Sequence, residues 1–110
     1  MPHFRFRAVE PVVVKSLSKV LIDELESVMQ SPRIDFTFES IHTEFFHEGS
    51  SNSGYPFIEV LWFDRGQEVK DHVARVITQK LNSLLLAEQN IAVIFTAINP
   101  VDYYDNGQHY

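Results

Sequence analysis

The sequence predicts a single α/β domain made of two similar β-α-β halves. Its length of 110 residues fits one hydrophobic core and leaves no room for a second. Apolar side chains alternate in four short segments and recur at helical spacing in two longer ones, in the order β-α-β, loop, β-α-β. The halves, about residues 2–47 and 56–99, also match each other, because the alternation that follows Pro2 is repeated after Pro56 at an offset of 54.

The first half contains a strand, a long amphipathic helix and a second strand. Alternating side chains predict the first strand from His3 to Val9. Proline suits the first turn of a helix, and leucine and valine then recur on one face, so we expect the first helix from about Pro11 to Gln30. The alternation that begins at Ile34 predicts a second strand that continues toward Phe46.

A loop rich in serine and glycine, residues 48–56, separates the halves and is expected to be the most mobile segment. The mostly apolar run from Phe57 to Phe63 predicts a third strand that is covered on both faces. A second amphipathic helix, capped by Asp64, is expected to end near Glu88. The fourth strand is predicted from Ile91 to Ile98.

This order of elements is compatible with two folds. In the ferredoxin-like fold the sheet is antiparallel and the two halves interleave. In the alternative, each half forms its own right-handed parallel pair, and the halves join side by side. The hydrophobic pattern alone does not separate the two arrangements.

Composition excludes several functional classes. A formal net charge of -6 argues against nucleic-acid binding, because phosphate contacts need a basic surface. No apolar run approaches membrane-spanning length, so no membrane partner is expected and a cytoplasmic location is the default. The chain has no cysteine and therefore neither a thiolate nucleophile nor a sulfur-based zinc site. No metal or other cofactor is predicted, because the acidic and histidine residues 42–48 lack the spacing of a metal motif.

The start of the chain carries the most specific motif. The sequence begins Met1-Pro2, enters a short strand at once and then follows the order β-α-ββ-α-β over about 110 residues. In these features the chain resembles the tautomerase superfamily, which includes 4-oxalocrotonate tautomerase and macrophage migration inhibitory factor, and we place it in an uncharacterised bacterial branch. The resemblance implies a four-stranded mixed sheet with two helices on one face, a homotrimer, and Pro2 as the catalytic residue.

The chemistry implied for Pro2 has a physical basis. Removal of the initiator methionine leaves a secondary amine, and a free α-amino group has a reference pKa of about 8. An apolar pocket or a neighbouring cation lowers such a pKa towards neutrality. A neutral amine can then take a proton from carbon beside a carbonyl and return it elsewhere, which is keto–enol tautomerisation. If Met1 stays bonded to Pro2, that nitrogen is an amide without a basic lone pair.

The resemblance also implies a small anionic keto acid as the substrate, which needs cations nearby. Arg5, Arg7 and Arg33 are the candidates for substrate binding, since Arg5 and Arg7 lie on the first strand close to Pro2. A competing interpretation pairs Arg5 and Arg7 with carboxylates across the sheet, at Glu39 or Glu59.

Other positions depart from the superfamily pattern. Where 4-oxalocrotonate tautomerase carries substrate-binding arginines, this chain has Val12 or Val13 and Asp35. Whether the chain is an enzyme therefore stays open, and the alternative is a non-catalytic oligomeric binding protein of the same fold. Aromatic side chains are enriched at subunit contacts, so four aromatic residues are candidates for such a contact: Trp62, Tyr103, Tyr104 and Tyr110.

Overall fold

The computed structural model describes residues 1–109 and contains two long helices and eight strands within that range. Tyr110 lies outside the described residues. The strands are β1 (Pro2–Arg7), β2 (Thr37–Ile41), β3 (Phe45–His47), β4 (Ser50–Asn52), β5 (Phe57–Trp62), β6 (Ala92–Ala97), β7 (Tyr104–Asp105) and β8 (Gln108–His109). The helices are α1 (Pro11–Val28) and α2 (Gln67–Leu84), and short 3-10 turns occur at Arg33–Asp35 and Pro100–Asp102.

Four strands form one mixed sheet in the order β2-β1-β5-β6. Strand β1 pairs with β2 in parallel, β5 pairs with β6 in parallel, and the two halves meet where β1 and β5 pair antiparallel. The parallel, adjacent pair β1-β2 excludes the ferredoxin-like fold. The duplicated β-α-β arrangement predicted from the sequence is therefore confirmed.

Both helices pack on one face of the sheet. Their apolar stripes recur at helical spacing, and residues such as Leu17 of α1 and Ile77 of α2 are fully buried. Alternate residues of the central strands meet them, for example Phe4 on β1 and Val60 on β5. The other face of the sheet combines charged and apolar side chains that are half-buried or exposed, and no helix within residues 1–109 covers it. Neither described helix is both long enough and apolar enough to cross a membrane.

Strand β5 alternates between buried and half-buried residues, so within the single chain only one of its two faces is covered, rather than both as predicted. The second strand also differs from its prediction. Residues Arg33–Asp35 form a 3-10 turn because the Asp35 N–H donates to the Pro32 carbonyl oxygen at 3.0 Å, and the strand starts only at Thr37. It ends at Ile41 instead of continuing toward Phe46.

The predicted loop at 48–56 contains regular structure. Strands β3 and β4 form an antiparallel hairpin whose turn lies at Glu48 and Gly49. Both turn residues have positive φ, 46° and 79°, which is the geometry that tight hairpin turns need. The tail forms a second small hairpin, β7-β8.

The second helix begins and ends differently from its prediction. Asp64 does not cap α2. Its Oδ1 accepts the Gly66 N–H at 2.8 Å in a turn that precedes the helix, and α2 ends at Leu84 rather than near Glu88.

Candidate functional site

Pro2 begins the strand β1 and is buried. Its Cα lies opposite that of Trp62 in the antiparallel pair β1-β5, and Trp62 is fully buried. Proline has no N–H to donate, so the first position of a strand accepts it at little cost. The pyrrolidine ring is therefore fixed in an apolar environment while its nitrogen leads towards Met1 and the surface.

Met1 forms part of the wall of a pocket of about 200 Å³. The pocket is made where the turn before β2 and the folded tail come together at the start of β1. Besides Met1, its lining residues are Ile34, Asp35, Thr37, Tyr103 and Asp105. Pro2 does not itself line the pocket and is connected to it through Met1.

The pocket carries negative charge. Asp35 and Asp105 both line it, and the lining residues include neither lysine nor arginine. The α-amino group of Met1 lies 3.5 Å from Asp35 Oδ2, and this is the only ion pair that the structure shows for Asp35 within residues 1–109. Such a pocket stabilises a positively charged group and repels a carboxylate.

Arg5 and Arg7 lie on the uncovered face of the sheet and are bound to carboxylates. Arg5 Nε donates to Glu39 Oε1 at 2.7 Å, and its Nη1 donates to Glu59 Oε1 at 3.3 Å. Arg7 Nη1 lies 4.0 Å from the same Glu59 oxygen. Thr96 Oγ1 donates to Glu59 Oε2 at 2.9 Å and completes a network across all four strands of the main sheet. The competing interpretation, in which strand arginines pair with Glu39 and Glu59, is confirmed.

His3 extends this network at the end of the sheet near Pro2. Its Nε2 lies 3.2 Å from Glu39 Oε1, and its Nδ1 is hydrogen-bonded with Thr37 Oγ1 at 2.6 Å. The hydrogen bonds from His3 and, next, from Arg5 hold the pKa of the Glu39 carboxyl below its ordinary value.

Arg33 immediately precedes two pocket residues, but its side chain turns to helix α1. Nη2 donates to Asp23 Oδ1 at 2.8 Å and Nη1 donates to Glu26 Oε1 at 3.2 Å. The hydrogen bond with Asp23 raises the pKa of the Arg33 guanidinium above its ordinary value, while those from Lys19 and then Arg33 lower the pKa of Asp23. Arg33 does not line the pocket beside Met1. The structure therefore brings none of the three candidate arginines to that pocket.

Sequence reasoning missed the acidic character of the pocket. It noted Asp35 only as a departure from the superfamily pattern and did not single out Asp105. The signal for Asp35 was its place just before strand two, whereas Asp105 reaches the pocket only because the tail folds back. Among residues 1–109 no group of three or more histidine, cysteine or acidic side chains is placed to hold a metal ion.

The four aromatic residues expected at a subunit contact have different surroundings. Trp62 lies in the core of the single chain, so its assignment to a contact was wrong. Tyr103 lines the pocket and packs edge-on against Phe63, with ring centroids 5.4 Å apart. Tyr104 is exposed, and Tyr110 lies outside the described residues.

Comparison with known proteins gives the family. Residues 1–109 match the family described as a domain of unknown function, DUF1904. The chain belongs to this family. It is similar to the DUF1904 domain from Sebaldella termitidis, with 35% identity over 100% of both chains and a TM-score of 0.93. It is also similar to a protein of unknown function from Vibrio cholerae, with 46% identity over 99% of this chain and 87% of that chain and a TM-score of 0.87.

The fold of this DUF1904 chain is that of the tautomerase superfamily, as predicted. The wild-type symmetric trimer of fused 4-OT aligns with 97% of this chain and 92% of its own, at a TM-score of 0.74 and 14% identity. At that identity the likeness shows the fold alone. None of the curated proteins compared with the chain matches it.

Proposed function

We propose that this DUF1904 protein catalyses keto–enol tautomerisation, with the amine of Pro2 as the general base after removal of Met1. The observation that carries the proposal is the position of Pro2, buried at the start of β1 with Met1 as its link to the pocket. Removal of Met1 would free the amine and enlarge the pocket at the same point. The tautomerase fold supports this use of the site.

The surroundings of Pro2 act on its amine in two directions. Pro2 is buried opposite Trp62, and burial disfavours a charged amine, which favours the neutral form that a general base requires. The carboxylate of Asp35 favours the protonated form. Base catalysis by Pro2 therefore requires a positive charge that offsets the negative charge of the Asp35 carboxylate.

The superfamily resemblance implies an anionic keto acid, and Arg5, Arg7 and Arg33 were the candidates to bind it. Each of these side chains is engaged with carboxylates, and none lines the pocket. The proposed substrate therefore remains a small keto or enol compound. Whether it is charged depends on the residues that line the pocket and not on these arginines.

A homotrimer is part of the proposal. The face of the sheet that bears Arg5 and Glu59 is uncovered in the single chain, and the fused 4-OT of the same fold is a symmetric trimer. We place this face towards the threefold axis. The cytoplasmic location expected from the sequence remains a prediction.

The first test is the mass of untagged protein purified from its host. Loss of Met1 is expected. The protein without Met1 should then ketonise phenylenolpyruvate, or should exchange hydrogen for deuterium at the carbon beside the carbonyl of a neutral or cationic ketone, measured by NMR in D2O. Pro2→Ala, which keeps a primary amine at the same place, should lose about 10²-fold or more of that rate. Retained Met1, or no exchange with any of the three classes of compound, would contradict the proposal.

The second candidate is a non-catalytic binding protein of the same fold. The ion pair between the Met1 α-amino group and Asp35 favours it, because it holds Met1 in the pocket and leaves Pro2 as an amide. Host protein that retains Met1 and still binds a small molecule in the pocket would support this candidate.

A further inference from the structure

The tail contains the one Asn-Gly pair of the sequence, and the structure places it in a hairpin turn. Asn106 and Gly107 join β7 to β8, and their φ values are 54° and 76°. Two positive values at the centre of a two-residue turn are the mark of the type I′ turn, in which Asn-Gly is a favoured pair. Both residues are exposed, so the turn is open to water.

An asparagine that precedes glycine can react with its own backbone. The nitrogen of Gly107 attacks Cγ of Asn106, the new C–N bond closes a five-membered succinimide ring, and the side-chain nitrogen leaves as ammonia. Water then opens the ring at either carbonyl and leaves aspartate or isoaspartate at position 106. Glycine favours the attack because it has no side chain that shields its nitrogen. Water is the only other reactant.

Each of the four other asparagines lacks a requirement of this reaction. Asn99 precedes proline, whose nitrogen has no proton to lose. The Oδ1 atom of Asn52 accepts a backbone N–H at 2.7 Å, and the next residue is serine. Asn82 lies within α2, where helical hydrogen bonds fix the backbone, and Asn90 precedes a β-branched isoleucine. The sequence and the fold therefore both direct the reaction to Asn106.

The closed turn restrains the reaction. In a type I′ turn the left-handed backbone of Asn106 directs the Gly107 nitrogen away from Cγ, so ring closure requires the turn to open. The hairpin consists of two residue pairs, Tyr104 with His109 and Asp105 with Gln108. Two-stranded hairpins of this kind are marginally stable at best, and this one lies at the end of the chain. Opening of the hairpin therefore sets the rate.

The main product prevents the turn from closing again. Isoaspartate carries the backbone through its side-chain carbon, so the connection between Asp105 and Gln108 becomes one carbon longer and a two-residue turn no longer fits it. Asp105 and Tyr103 line the pocket beside Met1. Loss of the hairpin therefore also removes the support of one wall of that pocket.

We propose that Asn106 is a site of spontaneous deamidation, and that its isoaspartate product converts the tail from a closed hairpin into an open segment. The reaction also adds one negative charge beside Asp105. This inference is independent of the proposed function, because neither Pro2 nor Met1 takes part in the reaction.

Peptide mapping by mass spectrometry tests the site. The full chain is incubated at 37 °C at neutral and mildly alkaline pH, beside a synthetic peptide of residues 103–109. We expect conversion at Asn106 before any other asparagine, faster in alkali because the reaction begins with loss of the backbone N–H proton. The rate should lie within about tenfold of that of the peptide, because a marginal hairpin opens readily. Asn106→Gln, which would have to close a larger ring, should remove the conversion at this position.

A matched variant separates the added charge from the altered backbone. Asn106→Asp has the charge of the product with an ordinary main chain, and aspartate tolerates the left-handed region. Its amide NMR signals for residues 104–109 should stay close to those of the wild type. The isoaspartyl form, separated by chromatography, should give the signals of the free peptide at these residues and keep the signals of β1 and β5.

The outcomes decide each part of the inference. Conversion that begins at another asparagine, or a chain whose Asn106 stays intact while the peptide reacts fully, overturns the site. An isoaspartyl form with the wild-type signals in residues 104–109 overturns the opening of the hairpin. If Asn106→Asp alone gives the signals of the free peptide, the added charge opens the hairpin, and the role assigned to the longer backbone is wrong.

Discussion

At the scale of single residues, Glu39 couples the sheet to pH. His3 and then Arg5 hydrogen-bond its carboxylate, so its pKa in the folded chain lies below the value of 4.5 for an unperturbed glutamate. The folded state therefore releases this proton more readily than the unfolded chain does. The resulting stability is fully present above pH 4.5 and is lost as the pH falls from 4.5 through the lower folded value.

The first prediction concerns the slope of that loss. In Glu39→Gln the free energy of unfolding should fall less steeply with decreasing pH below about 4.5 than it does in the wild type. Urea denaturation at a series of pH values between 3 and 7 measures the slope. Glu88→Gln, which removes an exposed carboxylate away from this network, should keep the wild-type slope. Equal slopes in the wild type and Glu39→Gln would show that the network does not bias Glu39.

Residue positions were predictable where strand periodicity alone fixed them. Alternation placed Arg5 and Arg7 on one face, and the matching halves placed Glu59 beside them. The partners of Arg33 were not predictable, because they depend on how the 3-10 turn after α1 directs its side chain back to Asp23. The pocket could not be predicted from the sequence either. Asp35 and Asp105 are far apart in sequence, and both line the pocket only because the tail folds back.

At the scale of elements, the β3-β4 hairpin has a glycine with positive φ in the turn before β4 and another in the turn after it. Gly54 follows the hairpin with φ of +63°, and its N–H donates to Asn52 Oδ1 at 2.7 Å. A Cβ at Gly54 would lie 2.6 Å from the ring of Phe45, so the ring would have to move. Gly49 in the hairpin turn has φ of +79° but no atom within 4 Å of the position of an added Cβ.

The second prediction uses this matched pair of glycines. Gly49→Ala should lower the free energy of unfolding by about 1–2 kcal/mol, the cost of a side chain in the left-handed region. Gly54→Ala carries the same backbone cost and about 1–3 kcal/mol more for the displaced Phe45 ring. Urea denaturation of both variants measures the difference. If the two variants lose the same stability, the Phe45 ring does not pack against Gly54.

The long elements were predictable and the short ones were not. Helices α1 and α2 carry four buried apolar residues each at regular spacing, and this pattern dominates any local ambiguity. The hairpin turn places Glu48 in the left-handed region, which glutamate rarely occupies, so its local sequence gave no hairpin signal. A glycine- and serine-rich segment was therefore interpreted as loop only.

At the scale of the whole molecule, one face of the main sheet is covered by helices and the other is uncovered. The uncovered face combines the ionic network of Arg5 with apolar side chains such as Leu61 on β5 and Ile94 on β6. Ile94 is 42% exposed although it belongs to a strand of the main sheet. A sheet face that combines ion pairs with exposed apolar side chains is typical of a surface that a second subunit covers.

The last prediction follows from the placement of this face at the centre of a homotrimer. Ile94→Lys adds a charge on the face without disturbing the buried side of β6, so the protein should fold but dissociate towards a single subunit of 12.7 kDa. Val12→Lys makes the same chemical change on the outside of α1, where Val12 is 70% exposed, and should leave a trimer of three times that mass. Light scattering after gel filtration, over a range of protein concentrations, measures both. A trimer that survives Ile94→Lys unchanged would mean that the subunits meet elsewhere, and a wild type of single-subunit mass would remove the trimer from the proposal altogether.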